Sequence, residues 1–363
     1  MKNKNLLATI IALTVMVVVA LFLTQKEQNN STNSTEKVKI GVLQFVTHDS
    51  LDEIYKGIKA GLEEGGYTTT ENLSIDFMNA EGDQSQVQTM SKKLVDNGNE
   101  LLIGIATPAA QGLANATAEL PIIMGAVTDP VGANLVTDLK NPGGNITGVS
   151  DQTPVADTVS LIKEITPDAK TIGVLYSSNE DNSKIQVAEF KAAAEEAGYT
   201  VLEYAVASSN ELASTVEVAS SKVDALFTPV DNTVASAFST VVSVANKSKT
   251  PIFTSVEDMV EGGGIASVTL SQYDLGVATG KMTAKILDGA NPADTPVQIF
   301  NEGTVVVNQK VAKELGEKLK KRISFKINNE EYFIVSTAIS SQKEIFEEEF
   351  AKIRKNLEEI DKS

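Results

Sequence analysis

The feature that most limits the fold of this chain is an internal repeat. Ile40-Gly-Val-Leu43 recurs as Ile172-Gly-Val-Leu175, 132 residues later. Glu63-Glu-Gly-Gly-Tyr67 recurs as Glu195-Glu-Ala-Gly-Tyr199 at the same offset. Pro121-Ile122 returns as Pro251-Ile252, and Gly143-Gly-Asn-Ile146 with Val149 returns as Gly262-Gly-Gly-Ile265 with Val268. The matches keep their order while the offset shrinks to 119. One lobe duplicated, with shorter loops in the second copy, has this pattern.

Each copy opens as strand, loop and helix. Residues 38–45 are a strand-like apolar run, and Ser50 with Glu53 reads as a capping box. Leu51, Ile54, Ile58 and Leu62 then form a stripe of helical period, stopped by Gly65-Gly66. In the second copy the strand is 171–176 and the box is Ser183 with Gln186. Its stripe is Val187, Phe190, Ala194 and Ala197, and Gly198 is the stop. Further apolar runs of strand length fall at 101–106, 122–127, 225–229 and 252–254. Continuous apolar strands alternating with helices predict parallel sheets covered on both faces. Two such α/β lobes enclose a cleft, and ligands in these sheets bind beyond the carboxyl ends of the strands.

The loops at those ends are therefore the candidate site. They hold Gln44 to Ser50, with Phe45 and His48; Thr107-Pro108; Thr128-Asp129; Tyr176 to Asn179; Asp231-Asn232; and Ser255. The set offers hydroxyls, carboxylates and a few aromatics, without a basic cluster for phosphate. Hydroxyls and free N–H groups at a helix N-terminus suit a carboxylate, and a side-chain carboxylate in the facing lobe suits an ammonium. Together they suit a zwitterion such as an amino acid, with Phe45 and Tyr176 available to stack on its side chain. Ser, Thr, Asp and Asn at these places are also ordinary helix caps.

Composition removes most other chemistries. The chain has no cysteine, so disulfides, thiol nucleophiles and cysteine metal sites are excluded. It has one histidine, so His48 alone is available as an imidazole base. The formal net charge of −17 disfavours a nucleic-acid surface. No GxSxG, P-loop, HExxH or EF-hand pattern occurs, so neither an enzyme nor a cofactor is expected.

The N-terminus is expected to set the compartment. After a short basic start, residues 6–23 are apolar but for Thr9 and Thr14. As a helix this run is roughly 27 Å long, about a hydrocarbon core. An uncleaved anchor is favoured over a signal cut after Ala20; in either case the body is exported. Residues 24–37 are wholly polar and read as a tether.

Several segments carry a family resemblance: KIGVLQFVTHDSLDEIYKGIKAGL (39–62), FMNAEGDQSQVQTMSKKLV (77–95), GIATPAAQGLA (104–114), TDPVGANLV (128–136), NPGGNITGVSD (141–151), KTIGVLYSSNEDNS (170–183), VDNTVASAF (230–238) and DLGVATGKM (274–282). Over roughly 38–316 the chain resembles substrate-binding proteins of ABC importers with the type I periplasmic-binding fold, in particular the streptococcal tryptophan and aromatic amino-acid-binding group. The resemblance implies two doubly wound parallel-sheet lobes joined by a multi-strand hinge, crossed near 148, 269 and 302. It implies a first lobe of 38–147 plus 269–301 and a second of 148–268 plus 302–317, following an anchor and linker over 1–37. It implies an amino-acid ligand, with Thr107, Ala126 and Thr128 at its carboxylate and Asp231 at its ammonium. Asp151, at the end of its segment, completes the ligand-binding set. The expected partners are an ABC permease with its ATPase and the cell membrane through 6–23, on the extracellular face. A membrane-anchored sensor with the same fold is the alternative. Residues 318–363 depart from the family's usual end. They read as a hairpin about Asn328-Asn329 and a charged helix whose stripe is Phe346, Phe350, Ile353, Leu357 and Ile360.

Overall fold

The computed structural model describes residues 37–316, together with the backbone of 324–327 and 330–333. The first unit runs β1 (Val38–Gln44), α1 (Asp49–Glu64), β2 (Leu73–Asn79), α2 (Gln84–Asp96), β3 (Leu101–Ile105), α3 (Thr107–Ala116), β4 (Ile122–Gly125) and β5 (Ile146–Asp151). Its strands are parallel in the order β2-β1-β3-β4-β5. The step from β1 to β2 goes one way along the sheet and the step from β2 to β3 goes back. Right-handed crossovers then place α1 on one face and α2 and α3 on the other.

The second unit repeats this winding. It runs α4 (Val155–Ile165), β6 (Thr171–Ser177), α5 (Asp181–Glu196), β7 (Thr200–Val206), α6 (Leu212–Ser220), β8 (Ala225–Phe227), α7 (Asn232–Ser236), α8 (Phe238–Ala245), β9 (Ile252–Thr254), α9 (Glu257–Glu261) and β10 (Ala266–Thr269). Strands β7-β6-β8-β9-β10 are again parallel neighbours. The chain then returns to the first lobe. There α10 (Gln272–Leu287) packs on α1, β4 and β5, and β11 (Gln298–Phe300) adds parallel to β5. It crosses once more, so that β12 (Thr304–Asn308) runs antiparallel to β10 before α11 (Gln309–Leu315). Strands β13 (Ser324–Ile327) and β14 (Glu330–Phe333) pair antiparallel with each other, and β14 pairs with β12.

The first crossing falls at 152–154 and not near 148. Residues 146–151 are held in the first sheet between β4 and β11, so the chain cannot leave earlier. The helix starts also differ from the capping-box expectation. Helix α1 begins at Asp49 behind His48, and α5 begins at Asp181 behind Glu180. The expected box residues serve elsewhere: the Ser50 hydroxyl bonds Asp258, and the side-chain oxygen of Gln186, the expected partner of the Ser183 cap, accepts from the Val230 N–H. The expected anchor over 6–23, most of the linker and the helix after Ser341 lie outside the described residues. Among the described residues no helix is long and apolar enough to cross a membrane.

One continuous apolar core fills the first lobe, from Ile40 and Leu62 to Ile286 and Val297. The second lobe has two large ones, one centred on Phe190, Phe227 and Ile162 and the other on Leu212, Val241 and Met259, beside the small pair Val260 and Val306. Phe190 stacks on Phe227 with ring centroids 4.1 Å apart. Each such fully buried side chain contributes roughly 1.5–3 kcal/mol. The contact of α1 with α10 is closer than side chains allow. A Cβ on Gly57 or Gly61 of α1, or on Gly276 or Gly280 of α10, would run into backbone atoms of the opposite helix. These four glycines fasten to the first lobe a helix that follows a second-lobe strand.

Candidate functional site

Strands β3 and β4 end earlier than their apolar runs because the next residues turn. Ala106 has φ +74° and Ala126 has φ +59°, left-handed values that few alanines adopt. Such strain persists where surrounding structure over-determines it, commonly at binding sites. Here both alanines, with Thr107 and Thr128 after them, line a cavity between the lobes. The space between atoms there, counting what is open to solvent, is about 400 Å³. The residues capping the N-termini of α1, α3, α7 and α9 (His48, Ala106, Asp231 and Val256) all line it. Two of these helices come from each lobe, and their leading N–H groups have no partner within the helix. The leading N–H groups of α7 are taken by Glu180 and Asp231, so the backbone bias toward a ligand's negative charge comes chiefly from the first-lobe helices α1 and α3.

Among the described residues the lining contains no lysine or arginine, but it contains two buried carboxyls. Burial pushes Asp151 up to about 7, against the Thr128 hydroxyl bonded to it, and its Oδ1 has no partner among the described residues. Burial, and then the charge of Glu180, push Asp231 up to about 7. Asp231 also caps α7 through the Val234 N–H at 2.8 Å and accepts the Ser177 N–H at 2.5 Å, which fixes its position. The apolar lining is aliphatic: Leu51, Ile54, Val230, Ala235 and Val256.

Among the described residues, side-chain hydrogen bonds join the two lobes at three places. Ser50 Oγ lies 2.6 Å from Asp258 Oδ1, His48 Nε2 lies 3.2 Å from Asn232 Oδ1, and Gln111 Nε2 lies 3.0 Å from Asp181 Oδ2. Burial lowers the His48 imidazole below its ordinary value, despite the nearby charge of Asp258.

Of the residues expected from sequence, His48, Thr107, Ala126, Thr128, Asp151, Asp231 and Asn232 are brought together here. Five are not. Phe45 is buried in the first-lobe core. Tyr176 directs its hydroxyl to Glu203 on the neighbouring strand, 3.3 Å away. Ser255 bonds the Thr228 carbonyl at 3.1 Å and pins the ends of β8 and β9, so Val256 is the residue in the lining. Asp129 closes its own turn on the Gly132 N–H at 2.9 Å, and Pro108 sits in the first turn of α3 outside the lining. Sequence reasoning missed Ala106, Asn182, Val230, Ala235, Val256 and Gln272 in this lining, took Ser50 for a helix cap in a candidate loop, and took Leu51 and Ile54 for core alone. Most of these lie within a few residues of a strand end. Gln272 lies just past the second crossing.

Comparison with known proteins is decisive at the family level. The family model for ABC transporter substrate binding proteins matches residues 39–330. The chain belongs to this family. This substrate-binding protein is thus a receptor and not an enzyme. It is 38% identical over 320 residues to a tyrosine-binding protein of Clostridioides difficile, covering 86% of this chain and 93% of that one. It is 63% identical to a Streptococcus pneumoniae ABC domain solved in complex with L-Trp, with TM-score 0.78 over 79% of this chain and 97% of that one. Two further structures are each 38% identical to it. A conserved domain protein from Vibrio cholerae gives TM-score 0.77, with coverages of 79% and 97%. A ligand-free, open substrate binding protein from Clostridium difficile gives 0.61, with coverages of 78% and 96%.

Proposed function

We propose that this substrate-binding protein captures an amino acid with an aromatic side chain between its lobes and delivers it to an ABC permease driven by an ATPase. The observation that carries this reading is the charge layout of the cavity. Two buried carboxyls suit an ammonium, the first-lobe helix N-termini with Thr107 and Thr128 suit a carboxylate, and no cationic side chain among the described residues lines the cavity. The relatives that bind tryptophan and tyrosine support an aromatic side chain, which the aliphatic wall would bury. Asp151, Asp231, Asn232 and His48 are the proposed polar contacts.

The hinge motion has its own support. The two 38% identical structures differ from this one by unequal amounts, and the more distant is the open one. Equal sequence divergence with unequal superposition is what a change in lobe orientation gives. The cross-lobe hydrogen bonds describe this protein in a closed arrangement. A ligand that contacts both lobes favours that arrangement by its differential affinity for it. Export, and tethering to the outer face of the membrane through 6–23, complete the proposal.

The chain contains no tryptophan, so the indole of a bound tryptophan reports itself as blue-shifted fluorescence without background. Calorimetry against the twenty amino acids gives the ranking, with tryptophan or tyrosine expected first. Absence of binding to any of them at millimolar concentration would sink the proposal.

A further inference from the structure

His48 stands just before α1, whose Leu51 and Ile54 form part of the cavity wall. The protonation form of its ring follows from a chain of three residues. Glu180 is buried, and its carboxylate receives the Asn232 N–H at 3.1 Å, the Asn232 side-chain amide at 2.6 Å, the Thr233 N–H at 2.9 Å and the Thr233 hydroxyl at 2.7 Å. A carboxylate engaged in this way only accepts, so the NH₂ of Asn232 must face it. The carbonyl oxygen of Asn232 is thereby turned across the lobes to His48 Nε2, at 3.2 Å. An amide oxygen cannot donate, so Nε2 carries the hydrogen. Burial disfavours adding a second proton. His48 is thus the neutral Nε2–H tautomer, and Nδ1 presents a lone pair. Nδ1 is buried and has no partner among the described residues.

We propose that Nδ1 of His48 accepts a hydrogen bond from a ring-borne N–H or O–H of the ligand, and that His48 thereby selects indole and phenol side chains over phenyl. The inference rests on the amino-acid reading above. Two candidate donors exist on such a ligand, the ring donor and the α-ammonium. The ammonium has Asp151 and Asp231, which are acidic and lack a cationic partner in the lining. His48 lines the same cavity as Leu51 and Ile54, whose aliphatic wall suits an apolar ring. A buried acceptor left unpaired penalises a ligand that lacks the donor, on the order of ten- to a hundredfold in affinity.

The chain has a single histidine, so ¹⁵N-histidine labelling of tag-free protein gives one imidazole to observe. The expected spectrum at pH 7 is the Nε2–H tautomer, with Nδ1 shifting as for hydrogen bonding when tryptophan is added. No such shift is expected with the isostere β-(3-benzothienyl)alanine, which lacks the ring N–H. An Nδ1–H ring, an imidazolium, or equal shifts with both ligands overturns the proposal. Calorimetry adds a second readout. The wild type should prefer tryptophan over the benzothienyl analogue, or tyrosine over phenylalanine, by tenfold or more, and His48→Leu should reduce that ratio to near one. A ratio that persists in the variant, or an equal loss for every ligand, overturns it. Failure of all amino acids to bind refutes the proposed function and this inference together, whereas binding without ring-donor preference refutes this inference alone.

Discussion

The two carboxyls in the cavity make ligand binding depend on pH in a calculable way. Asp151 and Asp231 are both raised to about 7 by burial. A ligand ammonium favours the ionised form of whichever acid it meets, so binding below pH 7 must expel a proton from that acid. Each pH unit below the pKa then lowers affinity about tenfold per acid, equivalent to roughly 1.4 kcal/mol. Moving from pH 7.5 or above to pH 5.5 should weaken binding about 30-fold if one acid must ionise, and by up to about 1000-fold if both must. The sign is set by the direction of the shift. These acids are protonated more readily in the folded protein than in the unfolded chain, so acid favours the form that binds the ammonium poorly. The assay is calorimetry at pH 5.5, 6.5 and 7.5 in buffer pairs of different ionisation heat, which counts released protons directly. Protons released at pH 5.5 should number one or two and fall toward zero by pH 8. Asp151→Asn should remove one proton if that acid is engaged. Constant affinity with no proton release across this range would refute the placement of the ammonium against these carboxyls.

Two further predictions concern closure and the hinge. Removing the Gln111 amide with Gln111→Ala deletes a cross-lobe hydrogen bond outside the cavity. Affinity should fall about 2- to 10-fold for tryptophan and tyrosine alike, in line with 0.5–1.5 kcal/mol per hydrogen bond; calorimetry showing a changed ratio between them would assign Gln111 to the site itself. Gly276→Ala places a methyl against the Ile54 carbonyl and should destabilise the protein by about 1–3 kcal/mol, even though alanine is the better helix former. Gly144→Ala, where nothing stands within 4 Å of the added carbon, should leave thermal unfolding nearly unchanged, and equal melting shifts in the two variants would contradict the close packing of α1 on α10.

The repeat carried most of the architecture into the sequence. Strands β1, β3, β4, β6, β8 and β9 were legible because burial makes them continuous apolar runs, as in Leu101–Ile105 and Ala225–Phe227, where every residue is buried. Strands β2 and β7 are the outer strands beside β1 and β6, and each has exposed or half-buried positions along it. Their sequences, such as Leu-Ser-Ile-Asp-Phe-Met-Asn, lack that signature for the same physical reason. The lining of the candidate cavity was legible where strand ends carry polar residues, as at Thr107, Thr128 and Asp231. It was illegible where a side chain's direction decides. Tyr176 and Ser177 are adjacent at the end of β6, and pleating sends the tyrosine to Glu203 while the Ser177 N–H serves Asp231. No residue-type argument distinguishes those outcomes.

The same limit explains why the capping boxes misled. Ser50 stands in sequence where a helix cap stands and Gln186 where the partner of the Ser183 cap stands, and the local signal for capping is correct as a preference. Each instead bonds a group distant in sequence: Ser50 reaches Asp258 in the other lobe, and Gln186 holds Val230 at the cavity. Helix α1 consequently starts on His48, which makes no side-chain cap and leaves the ring free to reach Asn232. A serine capping α1 would have satisfied the helix locally and left Asp258 without its cross-lobe partner. The uncapped start is therefore coupled to closure: the groups that a helix of this kind ordinarily keeps for itself are spent on the opposite lobe. Ser50→Ala should then weaken ligand binding while leaving the unfolding of the first lobe little changed, the reverse of what loss of a true N-cap produces.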